Sequence, residues 1–237
     1  MNKTSAFLMS TVALAASVGF ASAREQHPVA SNKGSPHYVQ PPVHSSAMKT
    51  LYDQTGNDLG TGVVSQNFEA SFDAYDSQGA DDFTVPAGPN WIVKEVDVVG
   101  VYFNGSGPAV SENVFFFKDH KGKPGKLVAT YTVVGVDTAG SFAITLPGRG
   151  QKLMPGHYWV SVQANMDFSN GGEWGWEKQT TVEGEPAMWQ NPGDGFGTGC
   201  TTWGIENDCV GVLPTGQPTS TSYGDKEFAL KGKTKGG

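Results

Sequence analysis

The chain has 237 residues, 38% of them apolar and only 16% charged, which is enough to build one sizeable hydrophobic core. Its formal charge is −7, with no Lys/Arg-rich face carrying interleaved aromatics, and this argues against nucleic acid as a partner. No apolar run approaches the roughly 20 residues of a membrane-spanning helix, so no membrane insertion is expected.

The first 23 residues have the three parts of a secretory signal peptide. Lys3 supplies the positive end, Ala6 to Phe20 is largely apolar and small, and Ala21-Ser-Ala23 is a small-residue cleavage pattern, with cleavage expected after Ala23. The mature protein is therefore expected to be secreted or periplasmic. Residues 24–50 carry Pro28, Pro36, Pro41 and Pro42 and few large apolar side chains, which predicts a disordered arm. His27, His37 and His44 lie in this arm at irregular spacing and are read as solvated.

From Leu51 onward, short runs rich in Val, Phe, Tyr, Thr and Trp alternate with Gly, Pro, Asn and Asp, and no 3.6-residue apolar stripe appears. Strands are predicted near 81–85, 91–103, 110–118, 126–136, 140–146, 157–165, 173–180, 186–190 and 226–231. They are separated by turn sequences such as Asn104-Gly105 and Pro155-Gly156. The predicted organisation is one all-β domain over 51–232, an antiparallel two-sheet sandwich, jelly-roll-like, followed by a polar tail over 233–237.

Alternation assigns faces. Phe142, Ile144 and Leu146 share one face of their strand; Tyr158, Val160, Val162 and Ala164 share another, which leaves Trp159 beside His157, Ser161 and Gln163 on the polar side. Val114-Phe-Phe-Phe117 is apolar on both sides and predicts a central strand whose outer face is covered by a loop or by the tryptophan-rich tract. The turn Asp53-Gln-Thr-Gly-Asn-Asp58 and the pair Asp81-Asp82 offer oxygen ligands, but neither has EF-hand spacing; no metal site and no cofactor are expected.

The pattern Ala80-Asp-Asp-Phe-Thr-Val-Pro86, Trp91-Ile92, Asp119 to Gly125, Leu153-Met-Pro-Gly-His-Tyr-Trp-Val-Ser-Val162, Trp174-Gly-Trp176 and Trp189-Gln-Asn-Pro-Gly-Asp-Gly-Phe-Gly197 resembles a loosely defined group of bacterial exported β-sandwich domains of unknown function, over about residues 51 to 232. The resemblance implies a sandwich fold and no catalytic residues. Some of that group end in a hydrophobic sorting tail; its lack here favours free secretion or the periplasm.

Gly171 to Cys209 holds four of the six tryptophans and both cysteines. In a chain bound for an oxidising compartment, Cys200 and Cys209 are read as a disulfide. Trp174, Trp176, Trp189 and Trp203 are interspersed with glycine and polar residues, which suits flat rings held at a surface. With Trp159, Gln190 and Asn191 they form the candidate ligand-binding set. Each tryptophan taken singly is more often core than ligand-binding. In an extended Glu173-Trp-Gly-Trp-Glu177 segment the glutamates lie about 13 Å apart, beyond the roughly 5–9.5 Å of a glycosidase pair. The glycines of Gly193 to Gly199 are assigned to positive-φ loop geometry near Trp203 and the disulfide. No HExxH, GxSxG, CxxC or P-loop pattern is present, and no catalytic residues are assigned. The expected function is an exported non-catalytic protein binding a polysaccharide or a cell-surface or matrix ligand. The alternatives are a structural or matrix-associated protein without a small ligand, and a secreted hydrolase with its site near His157 and Glu177.

Overall fold

Seventeen strands alternate with tight turns in the computed structural model, which describes residues 28–31, 48–210 and 224–235. They are β1 (Val29–Ser31), β2 (Lys49–Asp53), β3 (Asp58–Val64), β4 (Gln66–Asn67), β5 (Gln78–Val85), β6 (Asn90–Val98), β7 (Gly100–Phe103), β8 (Ser111–Asp119), β9 (Pro124–Val133), β10 (Val136–Thr138), β11 (Ser141–Thr145), β12 (Gln151–Leu153), β13 (Gly156–Asn165), β14 (Glu173–Gln179), β15 (Met188–Gln190), β16 (Gly204–Ile205) and β17 (Phe228–Lys235). A 3-10 segment, Ala70–Tyr75, and two short helices, α1 (Phe168–Gly171) and α2 (Glu206–Val210), lie in the connections.

The strands form an antiparallel all-β sandwich, as the alternation predicted. One sheet runs β10-β11-β6-β17-β2, with β12 also on β6; the other runs β16-β15-β5-β13-β8-β9. The short β4 adds to β13 in the parallel sense. Trp91, Val93, Val96, Val98, Phe142, Ile144, Phe228 and Leu230 of the first sheet share one buried cluster with Phe83, Val85, Val114, Phe116, Tyr158, Val160 and Val162 of the second. The inward face of β13 is thus the one read from the sequence. On β6 the buried set shifts phase between Val93 and Val96, and the β6–β17 register shifts at the same place, between Lys231 and Gly232. A Cβ at Gly232 would stand 2.0 Å from the Ile92 carbonyl oxygen, so this irregularity requires glycine.

Two expectations need correction. A third sheet, β1-β3-β14-β7, sends Trp174 and Trp176 into the same core, so the sandwich has more than two hydrogen-bonded sheets. The domain also reaches beyond 51–232. Val29–Ser31, within the expected arm, pairs antiparallel with Thr61–Val63, and β2 begins at Lys49. At the other end, the expected polar tail continues β17, with Lys233, Thr234 and Lys235 opposite Ile92, Trp91 and Asn90. Main-chain pairing along a strand needs few apolar side chains, and composition therefore missed both segments. The expected signal peptide over 1–23, the three arm histidines and the last two residues lie outside the described residues.

Candidate functional site

The tryptophan platform is overturned by packing. Trp174, Trp176, Trp189 and Trp159 are all 0% exposed. Each indole N–H donates to a protein acceptor: Trp174 to the Gly140 carbonyl (2.7 Å), Trp176 to the Glu227 carbonyl (2.9 Å), Trp189 to the Val64 carbonyl (2.7 Å) and Trp159 to Asp119 Oδ1 (2.9 Å). Strand alternation does place Trp174 and Trp176 on one face and Glu173 and Glu177 on the other, but both faces are covered. The Trp174 ring also packs directly on the backbone of β7: a Cβ at Gly100 would stand 2.4 Å from Trp174 Nε1. Trp203 is the exception, half-buried, with its ring edge-on to Phe117 at 5.9 Å. With Met188 it covers Trp159, and this is the cover expected over the outer face of the Phe115–Phe117 run.

Gln190 and Asn191 also leave the candidate set. Gln190 Nε2 donates to Gln78 Oε1 (2.8 Å). Asn191 is buried, donates Nδ2 to the carbonyls of Ala74 (2.7 Å) and Asp76 (2.8 Å), and accepts from the Phe196 N–H. It organises a loop rather than meeting a ligand. Cys200 and Cys209 form the expected disulfide, with Cα atoms 5.7 Å apart.

The residues suggested for hydrolysis fall into separate groups. His157 has Nε2 at 2.5 Å from Asp82 Oδ2 and Nδ1 at 3.6 Å from Asp119 Oδ1. Asp82 Oδ1 accepts from the Glu185 N–H, and burial raises the Asp82 pKa against the lowering effect of His157. Glu177 instead joins Asp58 and Glu227, whose carboxylate oxygens lie within 4.8 Å of one another and would give a divalent cation three ligands. Glu227 accepts from the N–H groups of Gly56 and Asn57, and burial with the charge of Asp58 pushes it up to about 7.

Four aromatic rings that the tryptophan signal overshadowed make a continuous row at the surface. Phe168 of α1 packs on Phe72 (centroids 5.4 Å), Phe72 on Tyr75 (5.9 Å) and Tyr75 on Phe196 (5.1 Å). All four are half-buried, and Phe72, Tyr75 and Phe168 belong to none of the buried clusters. Glu69 fixes one end of the row by accepting from the N–H groups of Phe168 (2.7 Å) and Ser169 (3.2 Å) and from the Ser169 hydroxyl (2.6 Å). Burial pushes Glu69 up, but these bonds outweigh it and hold the carboxyl below its ordinary value. The other end rests on Asn191 and on the Gly195 N–H, which donates to the Ala74 carbonyl at 2.7 Å. A Cβ at Gly193 or Gly195 would come within 2.6 Å of Ala74 backbone atoms, so these glycines serve close approach, and among the glycines of that run Gly197 and Gly199 have positive φ. Exposed Asp73, Ser169, Asn170 and Asp194 flank the rings. Beside α1 a cavity of about 130 Å³ is lined in part by Pro108, Val110, Asp167 and Asn170, smaller than the roughly 300 Å³ at which ligand pockets begin. Phe196 was visible in the tract, but nothing in sequence spacing joins Phe72, Tyr75 and Phe168 to it.

Fold and surface together define an antiparallel β-sandwich bearing a partly exposed aromatic row. No protein-family model matches the chain, and no curated protein matches it. Among solved structures it is similar to the cysteine protease and lectin-like domains of Cwp84, a surface layer associated protein of Clostridium difficile, at 11% identity and a TM-score of 0.47. The alignment covers 81% of this chain and 37% of that one. That likeness is too distant to carry an inference about ligand or activity.

Proposed function

We propose that the protein is an exported, non-catalytic β-sandwich that binds carbohydrate or another extracellular surface ligand through the Phe168, Phe72, Tyr75 and Phe196 row, in place of the buried tryptophans. The observation that carries this reading is the row itself, ring against ring, with Phe168, Phe72 and Tyr75 outside the core clusters, and edged by exposed carboxyl, hydroxyl and amide groups. Flat apolar faces with hydrogen-bonding groups at their rims suit sugar rings, which are apolar on one face and hydroxylated at the edge. The signal pattern ending at Ala23 and the disulfide support an oxidising compartment outside the cytosol.

Retention on insoluble polysaccharides, compared between the native chain and a Phe72→Ala/Tyr75→Ala variant, tests the reading. Retention of the native chain on at least one polymer, lost in a variant with an unchanged unfolding midpoint, is expected. No retention across a broad panel of plant, fungal and bacterial wall polymers would overturn it. A structural or matrix-associated role is the second reading, favoured by the complete burial of Trp174, Trp176 and Trp189.

A further inference from the structure

The segment around the disulfide buries charge in a way the binding reading does not use. Lys178 of β14 is 1% exposed, and Lys226, which bridges to it across the sheet, is 0% exposed. Both ammonium groups face one carboxylate, Glu206 at the start of α2, also 0% exposed: Lys226 Nζ is 2.5 Å from Oε2 and Lys178 Nζ is 3.5 Å from Oε1. Neither Glu206 oxygen has a well-aligned hydrogen bond, so the carboxylate keeps acceptor capacity. The next residue, Asn207, meets the same lysine, with Lys178 Nζ in hydrogen-bond contact with Asn207 Oδ1. A primary amine, a carboxamide and a buried carboxylate are therefore gathered at one point.

We propose that Lys178 and Asn207 are joined by an intramolecular isopeptide bond, formed by the folded chain itself with Glu206 moving the protons. Two ammonium groups against one carboxylate would leave a net positive charge in a site closed to water, and desolvation disfavours that state. Burial lowers the Lys226 ammonium below its ordinary value; Glu206 opposes this and the Lys178 charge adds to it. Glu206 touches both nitrogens, so in the proposed reaction its carboxylate takes a proton from Lys178, which then attacks as the free amine.

The Lys178 nitrogen then attacks Asn207 Cγ, the atom bonded to the oxygen it already touches, and the Cγ–Oδ1 double bond opens to an oxyanion. Glu206 delivers its proton to Nδ2 and takes one back from the attacking nitrogen. The oxyanion collapses, the Cγ–Nδ2 bond breaks and ammonia leaves. One C–N bond forms and one breaks, nothing is oxidised or reduced, and no co-reactant is needed. Fixed placement of nucleophile and proton carrier supplies the rate that such an amide exchange lacks in water. The product ties β14 to α2, next to the segment already tied by Cys200 and Cys209.

The test is mass spectrometry of the full chain, denatured and thiol-reduced so that the disulfide makes no contribution. The native chain should be lighter than its sequence by one ammonia, trypsin should fail to cleave after Lys178, and fragmentation should show a branched peptide linking Lys178 to Asn207. In Lys178→Met both the mass deficit and the branched peptide should be lost. A full-mass native chain, with Lys178 and Asn207 recovered in separate linear peptides, overturns the proposal whatever the variants do. An ammonia deficit found in a linear peptide overturns it equally, because that marks ring closure at an asparagine. Retention of the branched peptide in Glu206→Gln would overturn the role given to Glu206.

Discussion

Replacing Glu173 by glutamine should make the protein more stable at alkaline pH and leave it nearly unchanged in acid. Glu173 is 0% exposed; Oε2 accepts from the Asn104 side-chain amide, and Oε1 has no partner. Burial pushes its pKa up from 4.5 to about 7, with the Asn104 bond opposing the rise. A folded pKa above the unfolded value means that the folded chain binds the proton more tightly. The associated stability is full below about 4.5 and is lost as the pH rises through about 7. A difference of about 2.5 in pKa, at about 1.4 kcal/mol for each, sets a ceiling of about 3.5 kcal/mol for this side chain. Glutamine keeps an oxygen for Asn104 and carries no charge, so Glu173→Gln removes the alkaline penalty and little else. Urea unfolding at pH 8.5 should show the variant more stable by about 1–3 kcal/mol, and at pH 4.5 the two should agree within about 0.5 kcal/mol, with equal denaturant slopes. A similar loss of stability at both pH values would refute the reasoning, because it would show that shape or hydrogen bonding, not buried charge, dominates at this site. Burial raises Glu112 and Asp225 to about 7 as well, so the native chain itself should unfold at lower urea at pH 8 than at pH 5.

Breaking the disulfide with Cys200→Ser/Cys209→Ser should cost about 2–3 kcal/mol, as expected from closing a loop of sequence separation 9, and thiol reduction of the native chain should reproduce that shift in the urea midpoint. Trp189→Ala should cost about 3–5 kcal/mol, since it empties a fully buried site and removes one of the hydrogen bonds to the Val64 carbonyl; a loss under about 1 kcal/mol would mean that the ring is not packed there. Asn191→Ala removes the bonds to Ala74 in the 3-10 segment and to Asp76 just after it, and one to Phe196. Amide exchange should rise at Gly195 and Phe196, and polysaccharide retention should weaken, with little change at β13.

How much of this was legible in the sequence depended on whether local periodicity carried the information. The alternation of Tyr158, Val160, Val162 and Ala164 fixed the inner face of β13, and the two-sided Phe115–Phe117 run correctly called for a cover, which Trp203 helps to supply. The same rule misled at Glu173 to Glu177. Alternation separates two faces, but it does not tell which one meets water, and a third sheet buries both here. Tryptophan density is ambiguous for a related reason: an indole offers a large apolar area and one donor, and a carbonyl such as that of Gly140 or Val64 satisfies the donor as well as a sugar hydroxyl would. The aromatic row and the Lys178, Glu206 and Asn207 group were hidden because each is assembled from separated segments. Phe72 and Phe168 stand nearly a hundred positions apart and meet because the Glu69 carboxylate holds the first turn of α1. Lys178 and Glu206 would be read singly as solvated surface charges, and only the pairing of β14 with Lys226, together with the placement of α2, which the disulfide ties at Cys209, turns them inward. Charges buried this way are expensive, and replacing them with apolar residues of similar size is often neutral or stabilising. Their retention in this core fits a chemical use of the amine better than a purely structural one.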